Sequence, residues 1–198
     1  MYKVKICGIT NLEDALFAQK SGAVALGFIF TEKSPRYISQ EIAKNIILKL
    51  EPLCERVGVF LNQEITEILE IVHYCGLSTI QLHGNEDSNY IKELKEKTNL
   101  PIIKAFRKPK KQEILDFSED NLNAFLIDGE EEIMLDEIYK KKKLPLIFAG
   151  GLSKENIKNY LQKYSFLRML DLCSSIEEKH GKKDLNKIKA FFDEISIY

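Results

Sequence analysis

The chain carries no excess of charge of either sign: 29 basic and 30 acidic residues leave a formal net charge of −1. That balance gives neither nucleic acid nor an anionic membrane surface anything to hold. No run approaches the roughly 18 apolar residues that a membrane-spanning helix needs. The opening MYKVKICGITNLED brings acids early and lacks the layout of a secretory leader. Cysteine is sparse: Cys7, Cys54, Cys75 and Cys173 form no CxxC pair and no zinc-site spacing. Free thiols, no bound metal and a cytoplasmic location are the resulting expectations. A GxGxxG turn after the first apolar run, expected of a dinucleotide-binding sheet, is also missing.

What is present is ordinary globular material. The 198 residues are 44% apolar and 30% charged, enough for one domain over residues 1–198 with a sizeable core. Short apolar runs alternate with longer amphipathic ones from end to end. VKIC (4–7) precedes NLEDALFAQKSG, AVALGFIF (23–30) precedes SQEIAKNIILKL, and RVGVFL (56–61) precedes ITEILEIVHYCG. STIQLHG (78–84), PIIKAF (101–106), AFLID (124–128), PLIFAGG (145–151) and FLRMLDL (166–172) each lead into a further segment of helical spacing. The fifth of these is short, with Pro109 and several lysines. Continuous apolar strands fit a sheet covered on both faces. Eight strand–helix units predict a (β/α)₈ barrel, an α/β fold; an open doubly wound sheet is the alternative.

In such a barrel, chemistry sits where strands end and the following loops begin. Those positions hold Cys7, Arg36, His83, Lys104 or Arg107, Asp128, Gly150-Gly151, and Asp171 through Ser175. Each has two readings. Cys7 is either a small buried core residue or a thiol on the pocket floor, serviceable as a base if cations or helix ends favour thiolate. Asp128 is either a solvated residue of an Asp-Gly turn or a pocket carboxyl able to act as a general acid. Arg36, after Pro35, either lies over the surface or offers its planar fork to a carboxylate. His83 stays open; His73 and His180 read as structural or exposed, and the lysines 140–143 as a solvated helix end.

Two further spacings predict helix starts. Thr10 and Glu13 have the separation of a capping box, as do Ser174 and Glu177, the second implying a short extra helix after the eighth strand. Gly150 and Gly151 let backbone N–H groups approach a ligand. Together with Ser174 and Ser175 they make the loops after strands seven and eight an expected phosphate site, and the ligand a small phosphate ester.

With these motifs in view the chain resembles the phosphoribosylanthranilate isomerase family of tryptophan biosynthesis. The resemblance runs through KICGIT (5–10), GAVALGFIF with SPRYI (22–38), VGVFLN (57–62), IQLHG (80–84), IIKAF (102–106), FLID (125–128), FAGGLSKENI (148–157) and DLCSSIEEKHGKKD (171–184). It implies an Amadori rearrangement without metal or organic cofactor, with Cys7 as general base and Asp128 as general acid. It further implies that Arg36 binds the anthranilate carboxylate, that Asp171 sits near the sugar, and that Gly150, Gly151, Ser174 and Ser175 bind phosphate. Two departures stand out. The glycine-rich stretch usual after the sixth strand is replaced by the shorter, acidic GEEEIMLDEIY, and Ser175 occupies a position usually held by glycine. An active isomerase and a phosphosugar-binding barrel without turnover are the two functional readings. The expected partner is a small molecule, with a monomer as the expected state.

Overall fold

Eight parallel strands close on themselves in chain order in this computed structural model, which describes residues 2–129 and 135–198. They are β1 (Lys3–Cys7), β2 (Ala25–Ile29), β3 (Glu55–Phe60), β4 (Thr79–Leu82), β5 (Ile102–Arg107), β6 (Ala124–Asp128), β7 (Leu146–Ala149) and β8 (Met169–Leu172). The seam is closed by β1 on β8, with Lys5 opposite Asp171 and Ile6 opposite Leu172. Helices follow in turn: α1 (Leu12–Lys20), α2 (Gln40–Ile47), α3 (Ile65–Cys75), α4 (Ser88–Lys97), α5 (Lys111–Asp116), α6 (Leu135–Lys141), α7 (Lys154–Lys163) and α8 (Leu185–Ile195). The strands fall inside or within a residue of the apolar runs, and α5 is the shortest helix described, as its composition foretells. Among the described residues no helix is long and apolar enough to cross a membrane.

Side chains alternate along a strand, so closure sorts each strand into an inward and an outward set. Outward go Phe28, Phe60, Phe125 and Ile80, all buried between strands and helices, where each large side chain contributes about 1.5–3 kcal/mol. Inward go Ile103, Ala105, Ala124, Leu126, Ile147 and Ala149, a smaller inner cluster near the barrel axis. The same parity carries Lys5 and Cys7, Arg107, Asp128, and Asp171 to the interior or its mouth. It also resolves the choice on strand five. Lys104 points out into the wall, where Nζ meets Glu86 at 2.7 Å and the Gly84 carbonyl at 2.7 Å.

Two helix starts differ from the spacing-based expectation. Asn11 caps α1: its side chain accepts from the Asp14 N–H at 2.9 Å and donates to the Asp14 carboxylate at 2.7 Å. Thr10 is drawn elsewhere, its hydroxyl donating to the Gly181 carbonyl. After β8 there is no capped extra helix, only a 3₁₀ turn at Ser174–Ile176 and then a hairpin of β9 (Glu177–Lys179) and β10 (Lys182–Lys183). Glu177 cannot turn back to cap Ser174 because Arg36 and Lys183 hold its carboxylate. The hairpin is bolted to α1, with the Lys183 N–H donating to Asp14 at 2.7 Å and Lys182 Nζ reaching Glu13 and Asp14 at 2.9 Å each.

Gly27 on β2 shows how tightly the wall fits beneath the mouth. A Cβ there would lie 2.7 Å from Cys7 Sγ, 3.1 Å from Cys7 Cα and 3.2 Å from Lys5 Cε. Gly27→Ala should therefore cost about 1–3 kcal/mol of unfolding free energy, measured by urea titration, because both neighbours must shift. A change below about 0.5 kcal/mol would mean that the wall between β1 and β2 has slack.

Candidate active site

A cavity of about 560 Å³ opens at the C-terminal mouth of the barrel. All eight site residues expected from the sequence line it: Cys7, Arg36, Asp128, Gly150, Gly151, Asp171, Ser174 and Ser175. His83, Arg107 and Cys173 join them. Cys7 comes from the end of β1, Asp128 from the end of β6, and they face the same space from non-adjacent strands.

The floor is an electrostatic unit. Lys5 Nζ lies 2.9 Å from Asp171 Oδ1, with side-chain exposures of 5% and 7%. Burial opposes the charge on Lys5, yet Asp171 and Cys7 together hold it above its ordinary range. Burial also pushes Asp171 up, to about 7; Lys5 works the other way, and the nearby Cys7 adds to the rise. The Cys7 thiol is held well below its ordinary range, first by the hydrogen bond from Cys173, then by the charge of Lys5, with burial opposing. Cys173, as the thiol that keeps its proton, moves up. Cys54 and Cys75 lie away from the mouth, and burial pushes both thiols up to about 11.

On the opposite wall Asp128 keeps a third of its side chain exposed, and its Oδ2 stands 4.0 Å from His83 Nε2. Burial lowers His83 below its ordinary value, with Cys7 and Asp128 partly offsetting it, so the ring is mainly neutral near neutral pH. His83 Nε2 and Gln81 Oε1 are buried polar atoms with no hydrogen-bond partner among the described residues, and both side chains line the cavity.

Arg36 is fixed by Glu177. Its Nε donates to both carboxylate oxygens at 2.9 and 3.0 Å, and Nη2 donates to Oε2 at 2.6 Å. Such paired charge-assisted bonds hold the guanidinium plane rigidly. Burial resists ionisation of Glu177, but Arg36 and Lys183 keep it below the ordinary carboxylate range. Lys183, fully buried, donates to Glu177 at 3.0 Å and to the Cys173 carbonyl at 3.1 Å.

Across the mouth, Gly150 and Gly151 both have positive φ, +114° and +60°. A Cβ on Gly150 would lie 2.8 Å from the Gly129 backbone, so this approach of two loops requires glycine. Ser175 adopts no positive φ, so a serine here carries no backbone strain. Its hydroxyl donates to the Leu152 carbonyl and ties the loop after β7 to the loop after β8. The single 3₁₀ turn at 174–176 is too short to supply a helix dipole, so any anion here relies on individual N–H groups.

Lys5 and Lys183 are parts of this site that the sequence reading did not name, while Cys173 was included only within the run from Asp171 to Ser175 and Glu177 only as a capping residue. Parity along β1 and β8 was the available signal for Lys5 and Cys173; Glu177 and Lys183 depend on a hairpin that has no marked sequence signature. Residues 130–134 of the acidic segment after Asp128 lie outside the described residues. Among the described residues no group of three or more His, Cys, Asp or Glu side chains is placed to hold a metal ion.

Residues 4–194 match the family model for N-(5'-phosphoribosyl)anthranilate (PRA) isomerase. The chain is 39% identical over 194 residues to the N-(5'-phosphoribosyl)anthranilate isomerase of a Nitratiruptor species, covering 96% of both proteins. It is 37% identical to that of Thermotoga neapolitana, covering 96% of this chain and 97% of the relative. A crystal structure of phosphoribosyl anthranilate isomerase in complex with reduced 1-(o-carboxyphenylamino)-1-deoxyribulose 5-phosphate superposes with a TM-score of 0.91, at 36% identity and full coverage of both chains. A structure of monomers generated from the dimeric Thermotoga maritima enzyme gives 0.87 at 37% identity, covering 99% of each chain.

The raised Asp171 has a consequence for stability. An unfolded aspartate releases its proton near 3.9, whereas the folded protein keeps this one up to about 7. The folded state binds more protons in that window, so the contribution is complete below about 4 and is lost as pH rises to about 7. Urea unfolding between pH 4.5 and 7.5 should show wild type losing stability relative to Asp171→Asn. A pH-independent difference would contradict the assignment.

Proposed function

Since the chain belongs to the N-(5'-phosphoribosyl)anthranilate isomerase family, we propose a division of labour among its cavity residues for that family's reaction. The protein converts N-(5'-phosphoribosyl)anthranilate into 1-(2-carboxyphenylamino)-1-deoxyribulose 5-phosphate, a step of tryptophan biosynthesis. Asp128 protonates the furanose ring oxygen, and the ring opens to an iminium. That cation acidifies the adjacent C2–H. Cys7, as thiolate, removes the C2 proton to give an enolamine, which tautomerises to the aminoketone. Proton transfers of this kind contribute about 10²–10⁴-fold each when the groups are well placed.

One observation carries the proposal: Cys7, Arg36, Asp128, Gly150, Gly151, Asp171, Ser174 and Ser175, drawn from separate motifs, line one cavity, with Cys7 and Asp128 on non-adjacent strands. A substrate between them meets the base on one side and the acid on the other. The partial exposure of Asp128 lets it exchange its proton with solvent between turnovers. Arg36, with Nε and Nη2 committed to Glu177, keeps Nη1 for the anthranilate carboxylate. Asp171 anchors Lys5 beneath the sugar. The N–H groups of Gly150, Gly151, Ser174 and Ser175 receive the phosphate, their loops joined through Ser175. We further propose a working monomer in the cytoplasm. Every residue given a role above belongs to this chain, and the four cysteines are free.

Loss of phosphoribosylanthranilate fluorescence on addition of purified protein measures the reaction. Cys7→Ala and Asp128→Asn should each lower kcat by at least about 10²-fold with KM little changed. Wild-type turnover in either would remove that residue from its role. Gly151→Val, which crowds the phosphate loop, should instead raise KM by about tenfold, corresponding to about 1.4 kcal/mol. An unchanged KM would move the phosphate elsewhere.

A further inference from the structure

The pairing of β1 with β8 runs Lys5 to Asp171 and Ile6 to Leu172, so its next step sets Cys7 opposite Cys173. Both belong to the inward set and both line the cavity. Neighbouring parallel strands bring opposed Cα atoms to about 4.8 Å, inside the span of roughly 4.4–6.8 Å that a disulfide bridges. Each thiol is the largest influence on the other's hold on its proton, and both are free. Gly8 keeps the space beside them open, since a Cβ there would lie 3.2 Å from Cys173 Sγ.

We propose that Cys7 and Cys173 are a modification site: peroxide entering the cavity converts them to an intramolecular disulfide that reversibly stops turnover. In the first step the Cys7 thiolate attacks one oxygen of hydrogen peroxide. The O–O bond breaks, hydroxide leaves, and the sulfur is oxidised by two electrons to a sulfenic acid as the peroxide is reduced. In the second step the Cys173 sulfur attacks the Cys7 sulfur. The S–O bond breaks, the S–S bond forms, and the hydroxyl departs as water with the proton of Cys173. A dithiol reverses the bridge by exchange and regains two thiols.

The two cysteines have distinct parts. Thiolate character, which governs reaction with peroxide, belongs to Cys7, where Cys173 and Lys5 favour the anion. Cys173 is the resolving thiol and protects Cys7 from further oxidation to sulfinic acid. Cys54 and Cys75, whose thiols burial pushes up to about 11, should stay reduced under the same treatment. Bridge formation depends on the geometry of the pair and the thiolate character of Cys7; the loss of turnover rests in addition on the role proposed for Cys7.

The test treats the purified protein with hydrogen peroxide, blocks remaining thiols with iodoacetamide, and maps the peptides by mass spectrometry without reduction. The expected products are a Cys7–Cys173 cross-linked peptide, with Cys54 and Cys75 alkylated, and isomerase activity falling in step with the link. Dithiothreitol should restore most of that activity. In Cys173→Ser, and in Cys173→Ala as a check on the substitution, Cys7 should proceed to sulfinic acid and lose its recovery by dithiothreitol, each variant scored against its own untreated rate. Oxidation of Cys7 alone in wild type, or a bridge between other cysteines or between chains, would overturn the proposal. A Cys7–Cys173 bridge formed with turnover intact would overturn the switch and with it the base role of Cys7.

Discussion

A single ammonium group, Lys5 Nζ, sits inside the barrel 2.9 Å from Asp171, and the character of the mouth follows from how its charge is shared. An ion pair this deep is weak support for stability as such, because desolvating two charges offsets much of their attraction. Its effect here is on protonation. Asp171 and the Cys7 thiol both draw on the same cation, and burial penalises the carboxylate, so Asp171 titrates near 7. Neighbouring Cys173 also favours the thiolate, and Cys7 becomes the preferred anion of the floor. A base and a cation that supports it thus lie side by side in the buried floor.

The walls depend on a second charged cluster, built the same way. Glu177 is buried between Arg36 and Lys183, and the hairpin that carries it is tied to α1 through Asp14. Removing one partner from such a group strands a buried charge, which typically costs about 3–5 kcal/mol. Arg36 therefore reaches the cavity with its plane already set, so less side-chain freedom is lost when a carboxylate binds. Ser175, with its hydroxyl on the Leu152 carbonyl, does the equivalent for the two loops on the phosphate side.

Much of this was legible in the sequence, and for a physical reason. Continuous apolar runs such as AFLID mark strands covered on both faces, and eight of them with helical segments between leave few topologies. Strand ends then name Cys7, Asp128 and Asp171 as candidates. The polar partners were hidden by distance along the chain. Lys5 meets Asp171 across 166 positions and Arg36 meets Glu177 across 141. A lysine in a strand reads as solvent-facing until barrel closure turns it inward. Glu177 fitted a capping box with Ser174, a local pattern overruled by two buried cations. Thr10 was misjudged by one residue because Asn11, just as good a cap, stands beside it.

The central claim is that the barrel floor holds the Cys7 thiol well below its ordinary range. It is tested most directly by the pH dependence of Cys7 alkylation, followed site by site by peptide mass spectrometry. The comparison is with a Lys5→Met, Asp171→Asn double variant, which removes the cation without stranding its partner's charge. The expected result is a wild-type midpoint well below the ordinary thiol value of about 8.5, moving upward in the double variant. A wild-type midpoint at or above that value would contradict the account.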